Sequence, residues 1–318
     1  MEDFRHIPVL STAAIEWLAP ALAGSGPLID CTLGAGGHSE AFLEAFPDLV
    51  VIGIDRDSEA LEAAGRRLSR FGRRARTVKA NFAEIETVAR GEGYGQVAAI
   101  LYDLGVSSPQ LDRAGRGFGY RSGFSLDMRM DQDQELKAQD IVNKYSEKEL
   151  NSIISSYGEE RFARRIARAI VQRRQVRPFE DAGELAEVVK TAIPAATRRT
   201  GPHPARRTFQ ALRIATNREL ESLEESLAVA VNLLRAGGRV AVISYHSLED
   251  RIAKRVLRTA AEGCTCPKDL PVCVCGKTPL MKVLTNRPVR PSPDEVAANP
   301  RSESARMRVA EKLAEAAR

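Results

Sequence analysis

Short apolar runs, each closed by a polar or turn residue, punctuate the first third of the chain: Leu28-Ile29, Val50 to Ile54 and Val97 to Leu104, with a weaker run from Arg76 to Ala80. Unbroken runs of this length are what strands buried on both faces of a parallel sheet require. Helical spacing fills the intervals, from Ser11 (with Ser11 or Thr12 as cap) to about Leu22, from Ser39 to Phe46, and from Ser58 to Phe71. After Asp140 the period is helical throughout. Ser146 to Glu149 reads as a cap before Leu150-Ile153-Ile154, Glu159 to Arg174 as a basic helix, Ala182 to Ala192 as another. One long amphipathic helix is predicted from Thr208 to Leu234, stopped by Gly237-Gly238. Strands resume at Arg239 to Ser244, and Met281 to Asn286 with Arg306 to Glu311 would form an antiparallel hairpin at the sheet edge. The pattern predicts an α/β protein, with residues 1–112 and 206–318 forming the sheet domain and 113–205 a helical insertion after strand four.

The first strand runs into Asp30-Cys31-Thr32-Leu33-Gly34-Ala35-Gly36-Gly37-His38-Ser39, and the second ends at Asp55. A glycine turn after a first strand lets the backbone approach a ligand, and an acid about 20 residues on grips ribose hydroxyls. Asp55 lies 21 residues after Gly34. Ser39 stands where a dinucleotide fingerprint has its third glycine, which weakens a nicotinamide reading and leaves a nucleoside cofactor of unspecified kind. The alternative is a plain tight turn. Phe82, just past the third strand, is placed either to pack on an adenine or to fill the core. The fourth strand ends at Asp103-Leu104-Gly105-Val106-Ser107-Ser108-Pro109-Gln110; acids at neighbouring strand ends converge on one crevice, so Asp103 is expected to face the ligand. A glycine-punctuated stretch, Gly115 to Gly123, then carries Phe118 and Tyr120 ahead of Phe124, and is expected to be a mobile loop able to stack a base. At the fifth strand's end, His246 is either a substrate contact or a structural histidine, and Ser247 with Asp250 reads as a capping box.

Charge sharpens the picture. Net charge over 318 residues is +5, yet Arg161 to Arg213 holds 13 Lys plus Arg against 4 Asp plus Glu, a local +9 against −4 elsewhere. Arg161, Arg164, Arg165 and Arg168 share a face of the basic helix, with Phe162, Ile166 and Ile170 inward. Together with the Arg198-Arg199 and Arg206-Arg207 pairs, this favours phosphate contacts over a merely solvated face, and nucleic acid as partner. Hydrophobic content of 43%, the absence of any long apolar run and a start, Met1-Glu2-Asp3, unlike a signal peptide predict a cytoplasmic protein with no membrane partner. Four of the five cysteines crowd into Cys264-x-Cys266 and Cys273-x-Cys275, which offers zinc four thiolates, or else is a reduced loop or an adventitious disulfide; no metal ligand is assigned.

These motifs together resemble the bacterial RsmH (MraW) family, which methylates the N4 amine of a cytidine in small-subunit (16S) ribosomal RNA. The resemblance is carried by His6-x-Pro8-Val9-Leu10, Gly34-x-Gly36-Gly37-His38-Ser39, Asp103 to Asp112, Leu126-Asp127-Met128-Arg129-Met130-Asp131, Tyr157 to Arg161, His203 to Gln210 and Ser244 to Arg251, and covers nearly the whole chain. It implies a class I, Rossmann-like methyltransferase sheet with a helical insertion domain, and S-adenosylmethionine held by Gly36, Gly37, His38, Asp55, Phe82, Asp103 and Gln110. Asp103, or a carbonyl of its loop, is the expected acceptor for the amine proton. Tyr120, Arg161, Arg165, Arg206 and His246 are the candidate substrate contacts. The rivals are a nicotinamide oxidoreductase and a non-catalytic RNA-binding protein; an intact Gly34 to His38 turn with Asp55 and Asp103 argues against a decayed site.

Overall fold

The computed structural model describes residues 8–107, 110–111, 113–197, 203–263, 266 and 275–314. Two compact units divide the chain, one running up to Gly105 and resuming at Leu220, the other spanning Val106–Glu219. These boundaries differ from the 112/113 and 205/206 read from the sequence.

The first unit is a seven-stranded sheet. Its strands are β1 (Leu28–Asp30), β2 (Val51–Asp55), β3 (Ala75–Lys79), β4 (Val97–Asp103), β5 (Leu234–Ser244), β6 (Met281–Val283) and β7 (Arg306–Lys312), in the spatial order β3-β2-β1-β4-β5-β7-β6. The first five are parallel, and β7 runs antiparallel to both β5 and β6, so the expected edge hairpin is present. Chain order reverses between β1 and β4, which makes their carboxyl ends the switch point where open α/β sheets hold ligands. The α/β, Rossmann-like class expected from the sequence is the fold observed.

Alternation along the strands feeds two cores. On one face Ile29, Ile52, Ile54, Ile100, Tyr102 and Val242 pack with Ile85 of α4 (Ile85–Gly91), Leu223 and Leu227 of α10 (Glu219–Leu233), and Leu257 of α11 (Ser247–Ala261). On the other, Leu28, Val51, Ala99, Leu101 and Ile243 meet Leu18 of α1 (Ser11–Leu22), Phe42 of α2 (Gly37–Ala45) and Leu68 of α3 (Ser58–Leu68). Burial on both sides explains why the strands read as continuous apolar runs. Tyr102 lies fully buried because its hydroxyl has a partner, Ser226 Oγ at 2.6 Å.

The second unit holds α5 (Ala138–Lys144), α6 (Glu147–Gly158), α7 (Ala163–Arg174), α8 (Ala182–Ala192) and α9 (Arg206–Asn217) around Ile141, Ile154, Ile166, Ile170, Leu185 and Leu212. Ser146 and Glu149 form the expected capping box of α6.

Several expectations need correction. No side chain caps α1: its N-cap position is Leu10, in left-handed conformation at φ 54°, not Ser11 or Thr12. The basic helix starts at Ala163, since Glu159 takes a left-handed turn at φ 48° and leaves Arg161 ahead of it. The single helix from Thr208 to Leu234 is two helices, broken at Arg218 with φ 49°. Phe209 and Leu212 bury α9 in the second unit's core, so the division falls at Glu219 rather than before Arg206. Gly237 and Gly238 do not stop that helix; β5 already begins at Leu234 and carries them across a register shift. The loop expected to be mobile is pinned instead. Phe118, Leu126, Met128 and Met130 are buried, Arg116 donates to the carbonyls of Arg129 and Met130, and Arg129 pairs with both oxygens of Asp127 at 2.8 and 2.9 Å. His6, Ser108, Pro109, Asp112, Arg198, Arg199, Cys264 and Cys273 lie outside the described residues. Among the described residues no helix is long and apolar enough to cross a membrane, and no cluster suited to a metal ion occurs.

Candidate functional site

Three carboxylates stand at the ends of adjacent strands in the first unit, Asp30 on β1, Asp55 on β2 and Asp103 on β4. The turn from β1 to α2 winds among them. Gly34 and Gly36 both have positive φ, 52° and 81°, a conformation that costs an L side chain but not glycine. A Cβ at Gly36 would also meet the Leu68 side chain at 3.2 Å. Asp55 holds the turn: its Oδ2 accepts the Gly34 N–H at 2.8 Å and its Oδ1 the Asp57 N–H at 2.9 Å. Burial raises the Asp55 carboxyl, and these two amide bonds pull it back. Each oxygen keeps a lone pair for a further donor.

His38 opens the first turn of α2 and is buried, with its Nε2 3.3 Å from Asp103 Oδ2. That is an ion-pair contact, and neither ring nitrogen has an aligned hydrogen bond. Burial pulls the imidazole pKa down, but the carboxylates of Asp103, Asp30 and Glu295 outweigh it and leave it raised. Asp30 is fully buried, accepting from Ser39 Oγ at 2.7 Å and the Thr32 N–H at 3.2 Å. Its carboxyl is raised, first by burial, with His38 opposing. Asp103 is fixed from two sides. Its N–H donates to Thr32 Oγ1 at 2.6 Å, and Tyr245 Oη donates to its Oδ1 at 2.8 Å. Burial and the adjacent Asp103 hold the Tyr245 hydroxyl protonated, well above its ordinary pKa, so it remains a donor.

These residues suit a cationic nucleoside. A glycine turn with no Cβ in the way, a buried imidazole with unfilled hydrogen-bonding capacity, and two strand-end carboxylates supply backbone access, a polar contact and negative charge in one place. Gly36, Gly37, His38, Asp55 and Asp103 are therefore brought together by the first unit. Phe82 sits in the same unit, edge-on to Tyr102 with centroids 5.9 Å apart, its ring half-buried against the core. His246 is the N-cap of α11, its Nδ1 3.4 Å from the Glu249 N–H and its Nε2 3.1 Å from Glu249 Oε1. Glu249 Oε2 in turn accepts the N–H groups of Tyr245 and His246 at 2.8 and 3.2 Å. The capping box is thus His246 with Glu249, not Ser247 with Asp250, because Asp250 is taken by Arg308 at 2.6 and 3.0 Å. The other candidates belong to the second unit. Gln110 is buried and accepts the Ser107 N–H at 3.0 Å; Arg161, lying over the Phe162 ring at 4.5 Å, Arg165 and Arg206 are exposed, and Tyr120 projects outward.

Sequence reasoning missed Asp30, Thr32 and Glu295 as parts of this constellation. An acid directly before the glycine turn was the available signal for Asp30. Nothing local marks Glu295, which reaches across 285 residues to accept the Leu10 N–H at 2.6 Å. Pro8 in the same N-terminal segment lies against Gly37, 3.4 Å from where a Cβ would stand. Removing the acceptor by Glu295→Ala leaves the Leu10 amide unpaired at a strained αL position. A loss of about 1–2 kcal/mol is expected, with faster amide exchange over Leu10 to Ala14; unchanged exchange there would refute the tie.

The sequence matches the MraW methylase family over residues 3–313. The chain belongs to this family. Relatives named ribosomal RNA small subunit methyltransferase H bear this out. The one from Symbiobacterium thermophilum is 52% identical over 311 residues, 98% of this chain and 97% of that protein. Those from Geotalea uraniireducens and Brevibacillus brevis are 51% and 48% identical, covering 98% of this chain and 100% and 99% of theirs. The MraW resemblance read from the seven motifs is thus a true family relation, and it extends through the sheet and the helical unit alike.

Proposed function

We propose that this MraW-family protein uses S-adenosylmethionine to methylate the N4 amine of one cytidine in 16S ribosomal RNA, acting on the small ribosomal subunit in the cytoplasm. The observation that carries the reading is Asp103, a strand-end carboxylate oriented by Tyr245 and set beside the glycine turn and His38, in a chain about half identical, end to end, to named ribosomal RNA methyltransferases. In this reading Gly36, Gly37, His38 and Asp55 hold the cofactor, with Phe82 beside the adenine. Gln110 joins them on the family resemblance.

Held by these residues, S-adenosylmethionine would supply the electrophilic methyl group that the N4 amine takes up. The protein must do the rest. A cytosine amine is a poor nucleophile, because its lone pair is delocalised into the ring, and holding it in place gains rate by removing orientational freedom. Asp103 accepts a hydrogen bond from the amine, which localises the lone pair, and takes the departing proton on Oδ2. Tyr245 keeps Oδ1 occupied, which leaves Oδ2, 3.3 Å from His38 Nε2, as the oxygen that meets the amine. Arg161, Arg165 and Arg206 of the second unit neutralise RNA phosphates, an interaction that weakens with salt.

Nucleoside mass spectrometry tests the proposal. Small-subunit RNA from cells lacking the protein is expected to lack an N4-methylated cytidine that reappears when purified protein and S-adenosylmethionine are added. An unchanged cytidine, with RNA binding intact, would overturn the catalytic reading.

A further inference from the structure

The second unit carries an aromatic cluster on its surface. The rings of Tyr120 and His203 stack with centroids 4.4 Å apart and planes 15° from parallel, and the edge of Phe209 meets Tyr120 at 5.8 Å and 80°. Phe209 is buried, whereas Tyr120 is 37% exposed and His203 is exposed. The stack therefore rests on the core and points outward.

Its geometry is fixed before any ligand arrives. His203 Nδ1 accepts the Ala205 N–H at 3.2 Å, and the His203 carbonyl accepts the Arg206 N–H at 2.9 Å, so the turn opening α9 sets the imidazole. Two exposed guanidinium groups adjoin it in sequence, Arg121 after Tyr120 and Arg206 in the first turn of α9. Neither has an ion-pair partner among the described residues. A lone exposed aromatic needs no explanation, but a pre-set parallel pair flanked by unpaired cations has the chemistry of a single-stranded nucleic acid platform. Bases stack on aromatic and imidazole faces, while arginines meet the adjoining phosphates.

We propose that Tyr120 and His203, braced by Phe209 and flanked by Arg121 and Arg206, form a platform on which one unpaired RNA base stacks, with the His203 imidazole as its outer surface. The inference rests on the RNA-methylating reading and deepens it by assigning a base-binding role to His203. Stacking on such a ring is worth about 1–3 kcal/mol per base, which is a change of roughly 5- to 150-fold in affinity.

The test uses the full-length protein and a short single-stranded RNA carrying 2-aminopurine, whose fluorescence falls when the base stacks. Wild-type protein is expected to quench it. His203→Ala should lose the quench and weaken binding by roughly 5- to 150-fold, and His203→Phe, which keeps a flat ring, should restore both. Tyr120→Ala should behave like His203→Ala, and thermal melting checks that its core survives; His203 is exposed and carries the test if it does not. No quench by wild type, an undiminished quench in His203→Ala, or a His203→Phe variant as weak as His203→Ala would each overturn the platform. Methylation of small-subunit RNA by the wild-type protein is measured alongside. Failure of that reaction sinks the enzymatic reading, whereas normal methylation with no platform signal sinks this inference alone.

Discussion

Asp103→Asn is expected to slow methyl transfer by about 100- to 10,000-fold at saturating cofactor, the range removed when a positioned proton acceptor is lost. The substitution is nearly isosteric. Asparagine keeps a carbonyl oxygen to accept from Tyr245 Oη, now 2.8 Å from Asp103 Oδ1, and its backbone N–H still reaches Thr32 Oγ1. What changes is the second position, 3.3 Å from His38 Nε2, where a carboxylate oxygen becomes an amide that donates rather than accepts. Loss of rate without loss of fold would thus report the acceptor itself. Tyr245→Phe leaves the carboxylate in place but frees Oδ1 to rotate, and is expected to fall between Asp103→Asn and the wild type. Single-turnover rates with the cofactor in excess measure both variants. Full turnover by Asp103→Asn would remove Asp103 from the role and shift attention to the backbone carbonyls of its loop.

The sheet was legible because each parallel strand must be apolar on both faces, which leaves runs such as Val97 to Tyr102 that no surface element carries. Strand ends were legible for a related reason: an acid closing an apolar run, as at Asp55 and Asp103, marks the rim where the sheet meets solvent. Asp30 closes its run in the same way and was passed over, since β1 is only three residues long and the acid is as buried as its neighbours. Other features depend on contacts that spacing does not encode. The helical period runs unbroken through Asn217 and Arg218, so the left-handed kink there is invisible in the pattern. At the end of β5, Ser247 and Asp250 have the spacing of a capping box, yet Arg308 on β7 claims Asp250, and His246 with Glu249 caps the helix one residue earlier. In the sequence alone, the glycines between Gly115 and Gly123 suggest mobility. They mark tight turns, and a Cβ at Gly117 would stand 2.6 Å from the Asp127 amide.

The residue that holds that segment is Asn217, and Asn217→Ala is expected to destabilise the second unit by about 2–4 kcal/mol, since each buried polar group left without a partner costs about 1–3 kcal/mol. Asn217 is 2% exposed. Its Nδ2 donates to the carbonyls of Met128 and Arg213 at 2.7 and 2.9 Å, and its Oδ1 accepts the Met130 N–H at 2.8 Å. Met128 is itself left-handed, at φ 57°, an arrangement that persists only where the surroundings enforce it. Alanine would take away the acceptor of the Met130 N–H and a donor to the Met128 carbonyl together, and water reaches neither readily, because the Met128 and Met130 side chains lie in the unit's core. Asn217→Asp would not rescue the stitch, for it keeps the acceptor but sets a carboxylate oxygen against the Met128 carbonyl. Hydrogen exchange resolves the effect by location. Amides from Leu126 to Ala138 are expected to lose protection in Asn217→Ala, while those of β4 in the other unit keep theirs. A change below about 0.5 kcal/mol over that segment, within the scatter of ordinary surface substitutions, would show that the core packing of Met128 and Met130 alone suffices to hold it.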